Sequence, residues 1–318
     1  MINSEITSSL ASGCFLNIDK PVGITSFDVI FKMRKLLAEK SLGHAGTLDP
    51  FATGVLPVAV KKGTKLIQYL VDSDKEYIAD VRFGARSSSY DLTGELTNVL
   101  DDRQLPDFVI NISDLEKLLA DFVGEKEQLP PKVSALKING KRAYELARTG
   151  VDFELKPRLV QLKSVQILSF VWPDLRIRVN CGKGFYVRSL ANDLGERLGT
   201  GAYLTALRRT RVGCFRVENA ISLSGLAEVA DEVEAGKLSN FVDQSYFMNL
   251  TDFWREINQK VILLDEHLFA ELKFGRFIDN LQLPDLVEGE ISGAILNGKL
   301  VCLVLALPGA KLKMKLML

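Results

Sequence analysis

The segment GHAGTLDPFATGVLPVAV, from Gly43 to Val60, sets His44 and Asp49 in a loop punctuated by glycine and proline that runs into an apolar stretch. A carboxylate presented from such a loop can serve as a nucleophile or a general base. Asp-Pro is also a common turn former, because the Asp side chain bonds its own backbone, and taken alone the loop favours that reading. A second candidate is KGFYVRSL, Lys183 to Leu190, where Tyr186 and Arg188 stand at the junction of an alternating run and a helical one. A cation in the first turn of a helix opposes the macrodipole, so Arg188 needs a compensating partner or else lies on the surface. Tyr77 heads an alternating segment, a position where tyrosine is ordinarily core, and Leu207 in ALRRTRVG precedes Arg208 and Arg209. Lys20, in NIDKPVGITSFD, sits in a Lys-Pro-x-Gly string that by itself reads as a turn.

The elements that carry these residues show in the hydrophobic spacing. Thr25 and Ser26 are candidate caps for a helix that sets Phe27, Ile30, Phe31, Arg34 and Leu37 toward a core. Tyr77, Ala79, Val81 and Phe83 alternate with Ile78, Asp80 and Arg82, which predicts a strand with one buried face. Ser113 and Glu116 form a capping-box pattern ahead of Leu115, Leu118, Leu119 and Phe122. Leu175, Ile177, Val179 and Cys181 alternate with polar residues before CGKGF turns the chain into a helix bearing Leu190, Leu194 and Leu198. Between them, QLPPKVSALKINGKRAYELARTG carries Lys132, Lys137, Lys141, Arg142 and Arg148, with a turn at Asn139-Gly140 and a short helix ending at Gly150. A junction is expected between about Ser239 and Gln259. Beyond it, Asn297-Gly298 predicts a hairpin in a small all-β domain, and the closing LKMKLML reads equally as an edge strand docked on the body.

The chain has 318 residues, 47% of them hydrophobic, which is enough for a large core. Its 40 Lys+Arg balance 40 Asp+Glu, so a polyanionic partner must be held by a local patch. No secretory signal or membrane span is expected, and a cytoplasmic location follows. Four cysteines without a C-x-x-C pair predict buried free thiols, and two histidines without H-E-x-x-H spacing predict no metal site.

The string GHAGTLDP resembles the catalytic motif of the TruB family of pseudouridine synthases, and the likeness extends from about Leu16 to Phe215. The resemblance implies that Asp49 is the catalytic residue, acting on the sugar as nucleophile or at its 2′ position as base. It implies that Arg188 pairs with Asp49, that Tyr77 stacks on an extruded uracil and that Leu207 lies beneath it. Tyr186 would line the base pocket or brace Asp49, His44 would touch displaced nucleotides, and Lys20 would stand with the substrate-binding set as a support. Residues from about 125 to 152 would be an insertion that grips RNA, and Val133 departs from the family pattern, which has an aromatic there. The implied fold is α+β: a mixed, mainly antiparallel sheet flanked by helices over residues 1–245, with a PUA-like β-rich domain over 246–318. The implied reaction isomerises the T-loop uridine of tRNA, position 55, without cofactor or guide RNA, in a monomer. The alternatives are a non-catalytic tRNA-binding or folding protein on this scaffold and a guide-RNA-dependent pseudouridylase. An aspartyl-nucleophile phosphate hydrolase fits poorly, since Asp49 has no second carboxylate two residues away.

Overall fold

A computed structural model describes residues 13–100, 110–134, 136–138, 140–149, 153–234, 245–258 and 260–318. The body is an 11-stranded mixed sheet. Its main strands are β1 (Cys14–Lys20), β2 (Thr53–Val60), β3 (Lys75–Phe83), β4 (Gly124–Gln128), β5 (Arg158–Val171), β6 (Asp174–Cys181), β7 (Ala202–Val212) and β8 (Ile221–Ser222). They run in the order β8-β1-β2-β7-β3-β6-β5-β4, parallel at β8-β1 and β2-β7 and antiparallel elsewhere. Three short strands, Leu42–His44, Phe215–Arg216 and Phe247–Asn249, attach to β2, β7 and β1. The alternation in β3 and β6 lands as expected: Ala79, Val81, Phe83, Leu175, Ile177, Val179 and Cys181 are buried in one cluster.

That cluster is closed by α3 (Val187–Leu198), which follows α1 (Ser26–Leu36) and α2 (Ile112–Ala120) in the chain and adds Leu190, Ala191 and Leu194 to the core. Gly199 ends α3 in the left-handed region at φ 74°, as a helix C-terminus favours. Two helix expectations change. α1 is capped by Thr25 in a full capping box with Asp28, but it buries Ser26, Val29, Ile30 and Met33, leaving Phe27 64% and Phe31 52% exposed. The buried residues follow the i, i+3, i+4, i+7 stripe, and the two phenylalanines fall on its neighbour. α2 begins two residues early: Asn111 is the cap, accepting from the Asp114 backbone N–H, which leaves Ser113 in the first turn.

The basic stretch holds a hairpin, Lys137–Ile138 against Lys141–Arg142, and a short helix, Ala143–Arg148. Asn139 and Gly150 lie outside the described residues, as does 239–244 of the expected junction. Inside that expected junction α4 (Leu250–Ile257) sends Phe253 and Trp254 into a cluster with Phe15 of β1, and Phe15 and Phe253 stack 4.1 Å apart. A five-stranded sheet begins at Val261: β9 (Val261–Leu264), β10 (Ile278–Asp279), β11 (Ile291–Leu296), β12 (Lys299–Leu307) and β13 (Lys311–Met317), in the order β9-β11-β12-β13-β10. It forms a curled half-barrel. Asn297 and Gly298 turn between β11 and β12 with φ of 50° and 77°, the pair of positive values that a type I′ hairpin needs. All four cysteines are free; Cys214 is only half-buried. Among the described residues no helix is long and apolar enough to cross a membrane, and no group of three His, Cys, Asp or Glu side chains could hold a metal ion.

Candidate active site

The loop between the strand Leu42–His44 and β2 is fastened on three sides, which is why it can hold a carboxylate in a fixed place. From α1, Ser26 Oγ accepts the Leu48 N–H at 2.9 Å and donates to the Leu48 carbonyl at 3.2 Å. From β7, the buried Arg209 donates from Nε to the Val55 carbonyl at 2.8 Å and from Nη2 to the Gly46 carbonyl at 3.0 Å. From β1, Lys20 Nζ donates to the carbonyls of Pro21 at 2.9 Å, Ile24 at 2.7 Å and Pro50 at 3.3 Å. Leu48, Phe51 and Ala52 seal the loop to the core. Gly54, where β2 meets β7, has φ of 103°, and a Cβ there would lie 2.1 Å from the Arg209 carbonyl oxygen. Only glycine fits that approach.

Asp49 stands at the head of this loop and meets Arg188 from the first turn of α3. Arg188 Nη2 donates to Asp49 Oδ1 at 3.1 Å, and Nε lies 3.0 Å from Oδ2 without making a hydrogen bond. The guanidinium is buried, and its other contacts are all acceptors. Nη1 donates to the Ser89 carbonyl at 3.1 Å and to Asp91 Oδ2 at 3.2 Å, and Nη2 also donates to the Val133 carbonyl at 2.9 Å. Asp91 is buried in turn, its Oδ1 accepting from Ser89 Oγ at 2.7 Å and the Thr93 N–H at 2.9 Å. One buried cation thus serves two carboxylates. Burial pushes Asp49 above the usual carboxylate range and Asp91 adds to the rise, while Arg188, Lys20 and Arg209 oppose it.

Asp49, Tyr77, Tyr186, Arg188 and Leu207 line one cavity of about 110 Å³, together with Thr47, Leu48, Phe185 and Val187. Register explains the grouping: β3 and β7 pair Tyr77 with Arg209 and Ala79 with Leu207, so the aromatic ring and the leucine leave the sheet beside each other. Burial raises both tyrosines above their ordinary value, so each keeps its proton at neutral pH.

Two expected site residues lie elsewhere. Lys20 is 0% exposed and its three donors end on three carbonyls, so it braces the Asp49-Pro50 turn rather than meeting a substrate; burial brings its pKa down to about 8. His44 pairs with Val58 at the edge of β2, half-buried, and burial, with Arg209 nearby, lowers its pKa. Neither lines the cavity. Sequence reasoning misses Asp91, Ser89 and Gln128, which all act on Arg188 or its neighbours. The available signal is slight: SSSYDLTG has the composition of a solvated turn, and only the placement of Arg188 makes it a buried acceptor cluster.

Comparison with known proteins identifies the family. The pattern described as "TruB family pseudouridylate synthase (N terminal domain)" matches residues 34–187, and "tRNA pseudouridylate synthase B C-terminal domain" matches 188–259. A protein named tRNA pseudouridine synthase B from Syntrophomonas wolfei is 45% identical over 229 residues, 70% of this chain and 75% of that protein. Its namesake from Francisella philomiragia is 40% identical over 254 residues, 80% and 82% of the two chains. Among solved structures, an H/ACA RNP bound to a substrate RNA containing 2'-deoxyuridine shares the fold, with a TM-score of 0.73 at 22% identity over 98% of this chain and 86% of that one. A Cbf5-Nop10-Gar1 complex gives 0.72 at 25% identity with the same coverage. The mixed sheet with helices and its β half-barrel is the pseudouridine synthase architecture. The chain belongs to the TruB family of pseudouridylate synthases.

Proposed function

We propose that this chain converts a uridine of transfer RNA, the T-loop uridine at position 55, into pseudouridine, with Asp49 as the catalytic carboxylate. The observation that carries the reading is the joint placement of Asp49, Tyr77 and Leu207 in one small cavity, with Arg188 buried against the carboxylate. Relatives named tRNA pseudouridine synthase B support the choice of RNA. The uridine leaves its stack and enters the cavity, where the Tyr77 ring faces the base, Leu207 packs beneath it and Tyr186 closes the side. Stacking on an aromatic ring recovers about 1–3 kcal/mol per base, which offsets part of the cost of extrusion. The N1–C1′ bond breaks, the uracil turns, and C5 bonds to C1′; the C5 proton departs and N1 gains one. Asp49 acts ionised, either on C1′ or on the 2′ position, and Arg188 keeps it charged and aimed. His44 contacts nucleotides outside the cavity, and the basic stretch from Lys132 to Arg148 grips phosphates.

A protein that only bound and folded tRNA would have no use for a carboxylate whose burial opposes its own charge. The decisive assay uses purified protein and unmodified tRNA tritiated at uridine C5, without metal, nucleotide or guide RNA. Wild type releases tritium; Asp49→Asn releases none while its tRNA affinity stays within about threefold, since the substitution is nearly isosteric. Turnover by Asp49→Asn would defeat the mechanism.

A further inference from the structure

The N-terminal turn of α3 carries two cavity residues, and something must fix it against the sheet. The last residue of β4, Gln128, does so with both ends of its amide: Nε2 donates to the Tyr186 carbonyl at 3.1 Å and Oε1 accepts the Tyr186 N–H at 2.8 Å. A carboxamide that takes the donor and the acceptor of one residue acts like an added strand partner, setting that residue's orientation as well as its position. The same stretch of chain makes two more bonds to α3. Ser189 Oγ donates to the Leu129 carbonyl at 2.7 Å, and Arg188 Nη2 donates to the Val133 carbonyl at 2.9 Å. Residues 128–133 therefore touch Tyr186, Arg188 and Ser189, and one nitrogen of Arg188 divides itself between this stretch and Asp49.

We propose that Gln128 is a positioning residue for the reaction, joining the base of the basic segment to the first turn of α3 so that RNA engagement by that segment and the seating of Arg188 on Asp49 occur together. The inference rests on the reading of Asp49 given above. Gln128 is buried and its backbone is held across the sheet from Arg158, so an amide turned away from Tyr186 would leave buried polar groups unpaired.

The experiment compares Gln128→Ala and Gln128→Glu with wild type in single-turnover tritium release and in tRNA binding. Gln128→Ala is expected to slow the chemical step by about tenfold to a hundredfold, the effect of a displaced reacting group, with binding changed by less than about threefold. Gln128→Glu keeps the acceptor but, while ionised, lacks the donor; protonated, its carboxyl has both. Its rate relative to wild type therefore rises as the pH falls. The charged groups around Gln128 are the same in both proteins, namely Arg158 across the sheet, Arg188 and Asp49 beyond Tyr186, and Asp193, Glu196 and Arg197 in the adjoining hollow, so the ratio follows the new carboxyl. A wild-type rate for Gln128→Ala, with or without weaker binding, overturns the proposal, and so does a ratio that does not change with pH. If Gln128→Ala fails to fold, the Gln128→Glu ratio decides. An active Asp49→Asn assayed alongside would reject the site itself, whereas an inactive Asp49→Asn beside an unimpaired Gln128→Ala rejects only the role of Gln128.

Discussion

Replacing Arg188 by methionine keeps an unbranched stem and removes the guanidinium, and with it the charge that Asp49 and Asp91 share. At separations of 3.1 and 3.2 Å and an effective dielectric near 20, each ion pair is about 5 kcal/mol of raw attraction, which in the native protein offsets the desolvation of the groups. Without the cation that desolvation stands alone. Asp49 is 33% exposed by side chain, so solvent screens its share, and most of the penalty falls on Asp91 at 3%. Breaking a buried pair in this way costs about 3–5 kcal/mol, and thermal or urea denaturation at neutral pH will read it directly. Activity responds separately. Arg188 lowers the pKa of Asp49, so Arg188→Met moves it further up, and the acid limb of tritium release shifts to higher pH as overall turnover falls. Adding Asp91→Asn removes the second stranded carboxylate. The double variant regains part of the missing stability but none of the aim that Arg188 gave Asp49, so turnover stays low. If Arg188→Met is as stable as wild type, or if Asp91→Asn deepens the loss, the shared-cation account is wrong.

Three further outcomes are expected. Asp49 has a raised folded-state pKa, so its contribution to stability is present at low pH and lost as the pH rises; Asp49→Asn should therefore melt higher than wild type at neutral pH, with the gap closing in acid. A gap that does not change with pH would place the effect elsewhere. Gly54→Ala forces a Cβ to within 2.1 Å of the Arg209 carbonyl and parts β2 from β7, giving insoluble protein or a loss of several kcal/mol in denaturation; wild-type stability would refute the close approach. Replacing Lys137, Lys141 and Arg142 by alanine should weaken tRNA binding and reduce the slope of log affinity against log salt by about 0.7–0.9 for each phosphate no longer neutralised. An unchanged slope removes the hairpin from the RNA interface.

The parts of this molecule legible in the sequence are those where a local rule and the tertiary fold agree. β3 and β6 alternate because one face lies on the core, and Asn297-Gly298 turns where only that pair turns cheaply. Asp49 and Arg188 stand 139 residues apart, and no spacing rule joins them; the motif strings name both, through resemblance to a family. The face of α1 is hard to read because Phe27 and Phe31 are as apolar as Val29 and Ile30, and periodicity cannot choose between adjacent stripes. Lys20 joins the substrate-binding set, as a support, only through the family resemblance of its Lys-Pro-x-Gly segment; its burial is invisible locally because the carbonyls that make it tolerable include Pro50, 30 residues along the chain. Asp91 and Gln128 escape notice because each has meaning only beside α3, far along the chain.

The apolar cluster that joins Phe15 of β1 to Trp254, Leu300, Leu303 and Leu318 belongs to both sheets at once. A module hung on a tether would sample many angles, whereas these two bodies share the interior that each needs to stay folded. Heat should dissolve them in one cooperative event, and any long RNA lying across both meets a fixed span rather than an adjustable one.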